Sequence, residues 1–258
     1  MGHQTDTDQT DTEQEFEISP HLARLWRLSA PERRGRPARL TLDRVVSHAV
    51  ELADTGGLKA VTIPRVAKAA GCSTMALYRH VSSKDELLVL MTDMAAGSPP
   101  DDAMTGTAES WRDGLRAWAE ALYTVVSDHP WIPHVPIGGP PSGPGHMAWL
   151  DAALRTLRGA TLHQGDKVAV VTVVAGYVHQ AVRLATDHAA AMGDDPTEGY
   201  RSHGAALADL VQPSRFPDAA EIFAAGSIAP TPVDDYHFSF GLDLLLDGIE
   251  RLSIKLDA

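Results

Sequence analysis

The segment at 71–87, GCSTMALYRHVSSKDEL, combines a thiol, an imidazole and several cationic side chains. Cys72 and His80 are the nucleophile and base types of a thiol enzyme. An amphipathic helix with a solvated polar side is a second interpretation. A third is DNA contact, because the segment also carries side chains of the types that bind bases and phosphates, namely Tyr78, Arg79 and Lys84. The surrounding elements must decide among the three.

Composition limits the class of protein. The chain has 258 residues, 44% of them hydrophobic, which is enough to bury a sizeable core in one or two domains. Its single cysteine excludes an internal disulfide. The first residues show no basic n-region or apolar run, and the longest apolar run, at 168–178, is too short to span a bilayer. We therefore expect a soluble, cytoplasmic protein.

Charge is unevenly distributed along the chain. The formal net charge is −12, and residues 1–17 carry six acids with no Lys or Arg. Residues 33–84 carry ten basic against three acidic residues. A basic segment inside an acidic chain is typical of a nucleic-acid-binding region, but basic helices are also often only solvated faces. Charge alone leaves both interpretations open.

Helical periodicity begins after a polar N-terminal segment. We predict an acidic disordered tail and short arm over 1–32, a DNA-binding domain over 33–97 and a larger domain over 98–258. The first predicted helix ends at Gly56 and is followed by two short helices separated by a turn at Gly71. Ser83 to Glu86 has the spacing of a capping box that opens a fourth helix. Short helices separated by a Gly-containing turn are typical of a helix-turn-helix unit. The first helix buries one face, made of Leu42, Val45, Val46, Ala49, Val50 and Ala53.

The remainder of the chain reads as long helices broken by loops. We find no β-alternation of useful length and no internal repeat. The predicted fold is all-α, with an N-terminal three-helix helix-turn-helix domain and a larger helical C-terminal domain. The C-terminal helices are expected near 110–126, 146–157, 165–192, 199–211 and 234–252.

The segment VTIPRVAKAAGCSTMALYRHVSSKDELL resembles the DNA-binding segment of the tetracycline-repressor (TetR) family. In that family short helices are followed by the pattern L-Y-x-H-V-x-x-K-x-x-L. The segments SWRDGLRAWAEALYTVVSDHPW and GPGHMAWLDAALRTLRG resemble the C-terminal ligand-binding domain of the branch that contains the tetracycline repressors. The N-terminal pattern is matched by Leu77, Tyr78, His80, Val81, Lys84 and Leu87.

A set of DNA contacts follows from this segment. Burial of Leu77 and Val81 would turn the opposite side of 74–80 outward, where Arg79 could read guanine in the major groove. The outward residues are Thr74, Met75, Tyr78 and Arg79. The resemblance implies phosphate contacts by Thr62, Arg65, His80 and Lys84, and a small apolar position at Cys72. The basic arm at 33–36 either contacts DNA or is an unstructured solubilising tail.

The resemblance also implies a ligand-binding C-terminal domain. An aromatic-rich pocket with few polar groups suits a hydrophobic, ring-containing ligand, although aromatic residues at helical spacing are more often core. We expect no cofactor and no metal site, since the loop that holds His129 and His134 differs from that of the magnesium–drug-sensing repressors. The expected ligand-binding residues are Trp118, Leu122, Trp131, His134, Met147 and Tyr177.

The expected function is a ligand-responsive transcriptional repressor. In the family, the helices at 168–192 and 234–252 pack against their copies, which implies a homodimer on a palindromic operator that a small molecule releases. Its partners would be double-stranded DNA, the inducer and a second copy, with no membrane. The alternatives are a transcriptional activator or a ligand-independent DNA-binding protein. An enzyme that uses the C-terminal cavity is disfavoured, since no nucleophile elbow, zinc motif or phosphate loop occurs.

Overall fold

The computed structural model describes residues 18–28, 40–100, 110–136, 142–192, 196–224 and 235–257. The acidic tail over 1–17 and the basic arm at 33–36, both predicted from the sequence, lie outside the described residues. Within these ranges the regular structure is helical and contains no strand. The predicted all-α class is confirmed.

Helices follow one another along the described chain with short connections. Two 3₁₀ helices, Ile132–His134 and Leu157–Gly159, adjoin longer α-helices. The α-helices of the described residues are α1 (Pro20–Leu25), α2 (Leu42–Gly56), α3 (Ile63–Ala69), α4 (Thr74–Leu77), α5 (Lys84–Ala96), α6 (Trp111–Asp128), α7 (Pro144–Thr156), α8 (Gln164–Met192), α9 (Pro196–Leu210), α10 (Pro217–Ala224) and α11 (Asp235–Asp257).

Side-chain caps define where the first six helices begin. In each of them, a Ser or Thr in the extended conformation precedes the helix, and its hydroxyl accepts a hydrogen bond from a backbone N–H of the first turn. These caps satisfy N–H groups that have no partner within the helix. The capping residues of α1 to α6 are Ser19, Thr41, Thr62, Ser73, Ser83 and Ser110.

Helices α2, α3 and α4 form the N-terminal domain, and α5 packs against α2. The predicted apolar face of α2 is confirmed, with Val45, Val46 and Ala49 fully buried. Between α3 and α4 the chain turns at Gly71, whose φ of +68° favours glycine. This turn brings α4 against α3, as a helix-turn-helix requires.

The segment before this domain differs from the prediction. The sequence predicts a tail and short arm over 1–32, but residues 20–25 form α1, and Leu25 is fully buried. The helix is only six residues long, too short for a clear apolar period. Its two apolar positions, Leu22 and Leu25, pack against the core of the N-terminal domain. Tertiary contact therefore stabilises a helix that local sequence does not reveal.

The C-terminal domain is a bundle built around α6 and α8. Helix α6 packs against α7, α8 and α11, and α11 also packs against α8. Helix α5 contacts both α6 and α7, so it connects the two domains.

Helix α8 extends well beyond the apolar run that the sequence prediction considered. Gln164–Ala191 is long and apolar enough, by length and composition alone, to cross a membrane, whereas the sequence prediction considered only the run at 168–178. Val174 and Val178 on this helix are fully buried within the bundle. Burial in the bundle accounts for one face of this apolar helix.

Candidate nucleic-acid interface and C-terminal domain

Helix α3 begins at a capped turn that carries two of the predicted phosphate contacts. The hydroxyl of Thr62 accepts a hydrogen bond from the backbone N–H of Arg65 (3.4 Å). The Arg65 side chain is exposed. The N-terminus of α3 therefore presents N–H groups and a guanidinium together, which favours an anion.

Helix α4 and the turn after it present their polar side outward because their apolar residues, Leu77 and Val81, are buried. Leu77 is fully buried and Val81 is 1% exposed. On the other side, Met75 is 74% and Tyr78 is 50% exposed. Such exposure of large side chains leaves them available to a partner. Thr74 and Arg79 lie on the same exposed side.

The turn after α4 carries the next two predicted phosphate contacts. His80 is half-buried, and its backbone N–H donates to the carbonyl of Leu77 (2.8 Å). Lys84 is exposed at the first position of α5. Both residues therefore follow α4 closely in the chain, and their contact with phosphate stays a prediction.

Several cationic side chains between the start of α3 and the start of α5 lack acidic partners within the described residues. Arg24 and Arg27, by contrast, form ion pairs with Glu86 and Asp43. An unpaired cation can neutralise a phosphate without first breaking an internal ion pair. Between the start of α3 and the start of α5, the cations for which no ion pair occurs in the described part of the chain are Arg65, Lys68, Arg79 and Lys84.

Cys72 lies in the turn between α3 and α4 and packs, half-buried, against the hydrophobic core. Its backbone N–H donates to the carbonyl of Ala67 (2.9 Å). These contacts fit the small apolar role that the family resemblance implies for this position.

Glu86, which the sequence predicts only as the end of a capping box, organises the turn that follows α4. The predicted capping box forms only in part. The Ser83 hydroxyl accepts from the Glu86 N–H (3.0 Å), but the Glu86 carboxylate accepts from the N–H and hydroxyl of Ser82 (both 2.6 Å). Its other oxygen binds Arg24 Nε (2.6 Å) and lies 3.3 Å from His21 Nδ1. These α1 contacts turn the carboxylate away from the reciprocal cap.

Hydrogen bonds outweigh burial in setting the ionisation of this carboxyl. Burial by itself raises the pKa of Glu86, while the bonds from Arg24, Ser82 and His21 lower it, to about 2 against an ordinary value of 4.5. Glu86 is therefore a buried carboxylate that is charged at neutral pH. The sequence signal for it was the SxxE spacing, interpreted as a local cap.

Asp54, at the end of α2, connects the N-terminal domain to the segment after α6. One carboxylate oxygen accepts from Trp131 Nε1 (2.6 Å) and lies 2.8 Å from His129 Nδ1. Trp131 is 3% exposed. The predicted ligand residue Trp131 thus uses its polar group in a contact between the domains.

Asp93, near the end of α5, makes a second contact between the domains. Its Oδ1 accepts from the backbone N–H of His146 (3.1 Å) in the first turn of α7, and lies 3.2 Å from His146 Nδ1. Gly143, the residue that precedes α7, offers no capping side chain. Trp149 of α7 donates its Nε1–H to the carbonyl of Ala96 on α5 (3.0 Å). The N-terminus of α7 is therefore fixed to α5.

The predicted ligand residues of α6 lie deep in the bundle. Trp118 is 2% and Leu122 is 7% exposed. Trp118 donates its Nε1–H to the carbonyl of Trp149 (3.0 Å), and the two rings meet edge to face with centroids 6.1 Å apart. The only polar group of Trp118 is thus bonded within the protein.

The remaining predicted ligand residues surround the same helices. His134 Nε2 lies 3.7 Å from Asp187 on α8, and Met147 is half-buried on α7. Tyr177 on α8 donates its hydroxyl hydrogen toward backbone carbonyls of α11, at 2.9 Å from Phe238 O and 3.1 Å from His237 O. These six residues lie on elements that pack together, but their contact with a ligand stays a prediction.

An aromatic cluster that sequence reasoning missed connects α6, α8 and α11. Phe238 stacks on Tyr177 (centroids 5.6 Å apart) and lies 4.3 Å from Tyr123. Burial, and next the neighbouring Tyr123, raise the pKa of Tyr177 above its ordinary value of 10.0. The helical spacing of aromatic residues was visible in the sequence, but the pairing between helices was not.

His179 is a further polar group inside the bundle. Burial lowers the pKa of His179 below its ordinary value of 6.5, and the nearby His146 lowers it further. Its imidazole is therefore neutral at neutral pH. Among the described residues no group of three or more His, Cys, Asp or Glu side chains is arranged to hold a metal ion.

Family models match both domains of the chain. Residues 45–91 match the model described as bacterial regulatory proteins, tetR family. Residues 105–253 match the model of the tetracyclin repressor-like C-terminal domain. The second match covers more than half of the chain, and its range includes the bundle from α6 to α11.

Whole-chain relatives agree with these matches. The HTH-type transcriptional repressor DrrR1 of Streptomyces coeruleorubidus is 33% identical over 246 residues, which cover 94% of this chain and 89% of that protein. A solved structure of a possible TetR family transcriptional regulator from Streptomyces coelicolor A3(2) is 26% identical, covers 82% of this chain and 100% of its own, and has a TM-score of 0.65.

A third comparison concerns the fold alone. ActR of Streptomyces coelicolor, solved in complex with actinorhodin, is 22% identical, covers 84% of this chain and 99% of its own, and has a TM-score of 0.69. The helix-turn-helix, the C-terminal bundle and the matched families lead to one conclusion. The chain belongs to the tetR family of bacterial regulatory proteins, in the branch with a tetracycline repressor-like C-terminal domain.

Proposed function

We propose that the protein is a cytoplasmic, ligand-responsive transcriptional repressor that binds a palindromic operator as a homodimer. A small hydrophobic or aromatic molecule in the C-terminal domain releases it from DNA. The observation that carries the proposal is the outward side of α4 and the turn after it, where Met75, Tyr78 and Arg79 are exposed. Arg65 and Lys84, on neighbouring elements, form no ion pair within the described residues.

Helix α4 would enter the major groove with this side toward the bases. Arg79 can donate two hydrogen bonds to a guanine, while Met75 and Tyr78 can pack on thymine methyl groups. Thr74 adds a hydroxyl at the first position of α4. Thr62, Arg65, His80 and Lys84 flank the helix on both sides and would bind phosphates, which positions it without reading sequence.

Homodimer formation is supported by apolar residues of α8 and α11 that the single chain leaves exposed. These two helices pack against each other within one chain. An interface between copies would bury such residues, as obligate dimers do. A two-fold axis would then place two α4 helices on successive major-groove half-sites. The exposed apolar residues of α8 are Val168, Val173 and Leu184, and those of α11 include Leu244, Leu252 and Ile254.

The ligand would bind among α6, α7 and α8, where the predicted residues lie. The polar groups of Trp118, Trp131 and Tyr177 are bonded within the protein, so these rings would offer mainly apolar contact. His134, on the 3₁₀ helix after α6, and His179, on α8, are polar groups near these rings. ActR, which has a similar fold, was solved in complex with actinorhodin, and this supports a small-molecule ligand here.

Release requires that the ligand prefer a conformation in which the two α4 helices are wrongly spaced. Moving the dimer from nearly all bound to nearly all free takes a preference of about 10⁴-fold. Linkage then requires operator DNA to weaken ligand binding by the same factor.

Selection of bound sequences from random DNA tests the proposal. We expect an inverted repeat whose half-sites are separated by about one helical turn or a small multiple of it. Enrichment of a single, unrepeated site would contradict the dimer, and no enrichment would contradict operator binding. The recovered site then serves to screen small molecules for release.

A further inference from the structure

Helix α1 lies outside both matched family segments, which cover 45–91 and 105–253. It is nevertheless anchored, since Leu25 is fully buried. Side chains of α1 and of the two residues after it, Trp26 and Arg27, contact three other parts of the structure. These contacts give α1 a role beyond that of a terminal extension.

The first contact joins α1 to the turn behind α4. Arg24 Nε donates to Glu86 Oε1 (2.6 Å), and the second oxygen of Glu86 accepts from the N–H and hydroxyl of Ser82. Ser82 lies between α4 and Lys84. Arg24 therefore fixes, through Glu86, the turn that lies between two of the proposed DNA contacts, Tyr78 and Lys84.

The C-terminal end of α1 makes a second contact. Leu28 N–H donates to Ala23 O (2.8 Å), and Arg27 N–H donates to Arg24 O (3.1 Å). This is a Schellman motif, with Arg27 at the left-handed position, φ +55°. The Arg27 guanidinium binds Leu25 O (2.9 Å) and Asp43 of α2 (2.7 Å), which holds the turn in place.

The third contact reaches the other domain. Trp26, the last residue before this turn, donates its Nε1–H to the carbonyl of Ser142 (2.8 Å). Ser142 immediately precedes Gly143, where Asp93 of α5 meets the N-terminus of α7. Two elements of the DNA-binding side, α1 and α5, therefore contact the same turn of the C-terminal domain.

We propose that α1 is a positioning element that bridges the recognition helix, α4, and the N-terminus of α7. The inference rests on the proposed operator binding. The bridge consists of Arg24–Glu86 at one end and Trp26–Ser142 at the other. Since the two ends act in series, breaking either one removes this connection between the turn at Ser82 and the C-terminal domain and leaves only the one that α5 makes through Asp93 and Ala96. Arg24 and Trp26 are positioning residues that act through Glu86 and Ser142.

A double-mutant cycle tests this arrangement on full-length protein with the operator recovered from random DNA. Arg24→Gln removes the first end, and Trp26→Phe removes the second while keeping an aromatic ring. We expect each variant to bind operator about three- to tenfold more weakly, the range for loss of one hydrogen bond. The double variant should bind no more weakly than the weaker single variant, because one break already opens the bridge.

The bridge is contradicted if the losses of operator affinity multiply in the double variant. It is also contradicted if the single variants bind operator as tightly as the original protein. The variant Glu86→Gln distinguishes a positioning role of Arg24 from direct attraction between its charge and phosphate. If Arg24 merely attracted phosphate, removing an acid would preserve or strengthen binding, whereas the bridge requires weaker binding. Arg155→Gln, which breaks the Arg155–Asp151 pair on α7, is the charge-matched control and should leave operator affinity unchanged.

Amide exchange in the free protein gives a readout that does not depend on DNA. Trp26→Phe should speed exchange of the Ser82 N–H, which is bonded to Glu86 at the opposite end of the bridge. Unchanged exchange at Ser82 overturns the bridge even where operator binding is established. If the original protein selects no operator but Ser82 exchange responds, operator binding fails while the bridge stands.

Discussion

The carboxylate of Asp93 occupies the space that a side chain at Gly143 would fill. From there Oδ1 accepts the backbone N–H of His146 (3.1 Å), the bond that an N-cap side chain would otherwise make. Helix α7 is therefore capped by a residue of α5. Since α5 begins at the turn after the recognition helix, the start of the C-terminal bundle is joined to the DNA-binding side by a cap from another helix.

This cap predicts that a serine at position 143 changes the free energy of unfolding in opposite directions when Asp93 is present and when it is absent. Asp93→Ala should lower the free energy of unfolding by about 1–2 kcal/mol, because α7 loses its cap. Gly143→Ser should destabilise the original protein, where Asp93 fills the space, but stabilise Asp93→Ala, where the serine hydroxyl can cap α7. Urea denaturation of the four proteins measures both effects.

Gly159→Ser is the control for this cycle, because no atom outside its immediate neighbours lies within 4 Å of a Cβ built at Gly159. It should have the same effect with and without Asp93. A Gly143→Ser effect of the same sign in both backgrounds would show that Asp93 is not the cap.

The low pKa of Glu86 predicts that the free energy of unfolding falls at acidic pH. Its folded pKa is about 2 against an ordinary value of 4.5, so the stability that it contributes is complete above pH 4.5 and is lost as pH falls toward 2. The difference corresponds to about 3 kcal/mol at most. Glu86→Gln should therefore be less stable than the original protein at pH 6, and the gap should narrow by pH 3.

Denaturation midpoints across this pH range measure the gap. Asp85→Asn, which removes an exposed neighbouring carboxylate, serves as the control and should keep the acid slope of the original protein. Curves for Glu86→Gln that run parallel to the original from pH 6 to pH 3 would contradict the assigned ionisation.

Replacing either of two basic residues of the proposed interface should change DNA binding in different ways. Arg79→Ala should lose base preference at one operator position, with a cost of about 1–3 kcal/mol. Lys84→Ala should weaken binding to all sequences and reduce the salt slope by about 1.

Binding of operator variants at several salt concentrations distinguishes these effects. Arg158→Ala removes an exposed cation from the C-terminal domain and should change neither quantity. Operator binding that is indifferent to both Arg79→Ala and Lys84→Ala would contradict the placement of α4 in the groove.

The proposed dimer depends on the exposed apolar residues of α8 and α11. Leu244, 59% exposed, would be buried between copies, so Leu244→Glu should shift the protein toward monomer and weaken operator binding. Sedimentation equilibrium measures the shift. Ile18→Glu changes a residue that is equally exposed, at 58%, but lies before α1, and it should leave the oligomeric state unchanged. Equal association of both variants would argue against this interface.

Patterns within single elements were predictable from the sequence. The apolar period of α2 identified a face that is buried, and Gly71 marked the turn of the helix-turn-helix. Leu77 and Val81, four residues apart, determined which side of α4 is exposed. Each of these depends on neighbours within one or two turns, whose geometry the backbone dictates.

Contacts between elements were not predictable in the same way. Helix α1 is too short to show a period, and Glu86 matched a local cap although its carboxylate binds Arg24 from a distant part of the chain. The aromatic side chain of Trp131 indicated a ligand-binding role, but its indole N–H donates to Asp54.

The sequence by itself determined an all-α chain, the helix-turn-helix, its outward residues and the family, because these follow from local periodicity and a contiguous motif. Only the tertiary structure decided how the two domains are joined, through Asp54, Asp93 and Trp26. Each of these side chains bonds to a group far away in the sequence, and such partners become neighbours only when the helices pack.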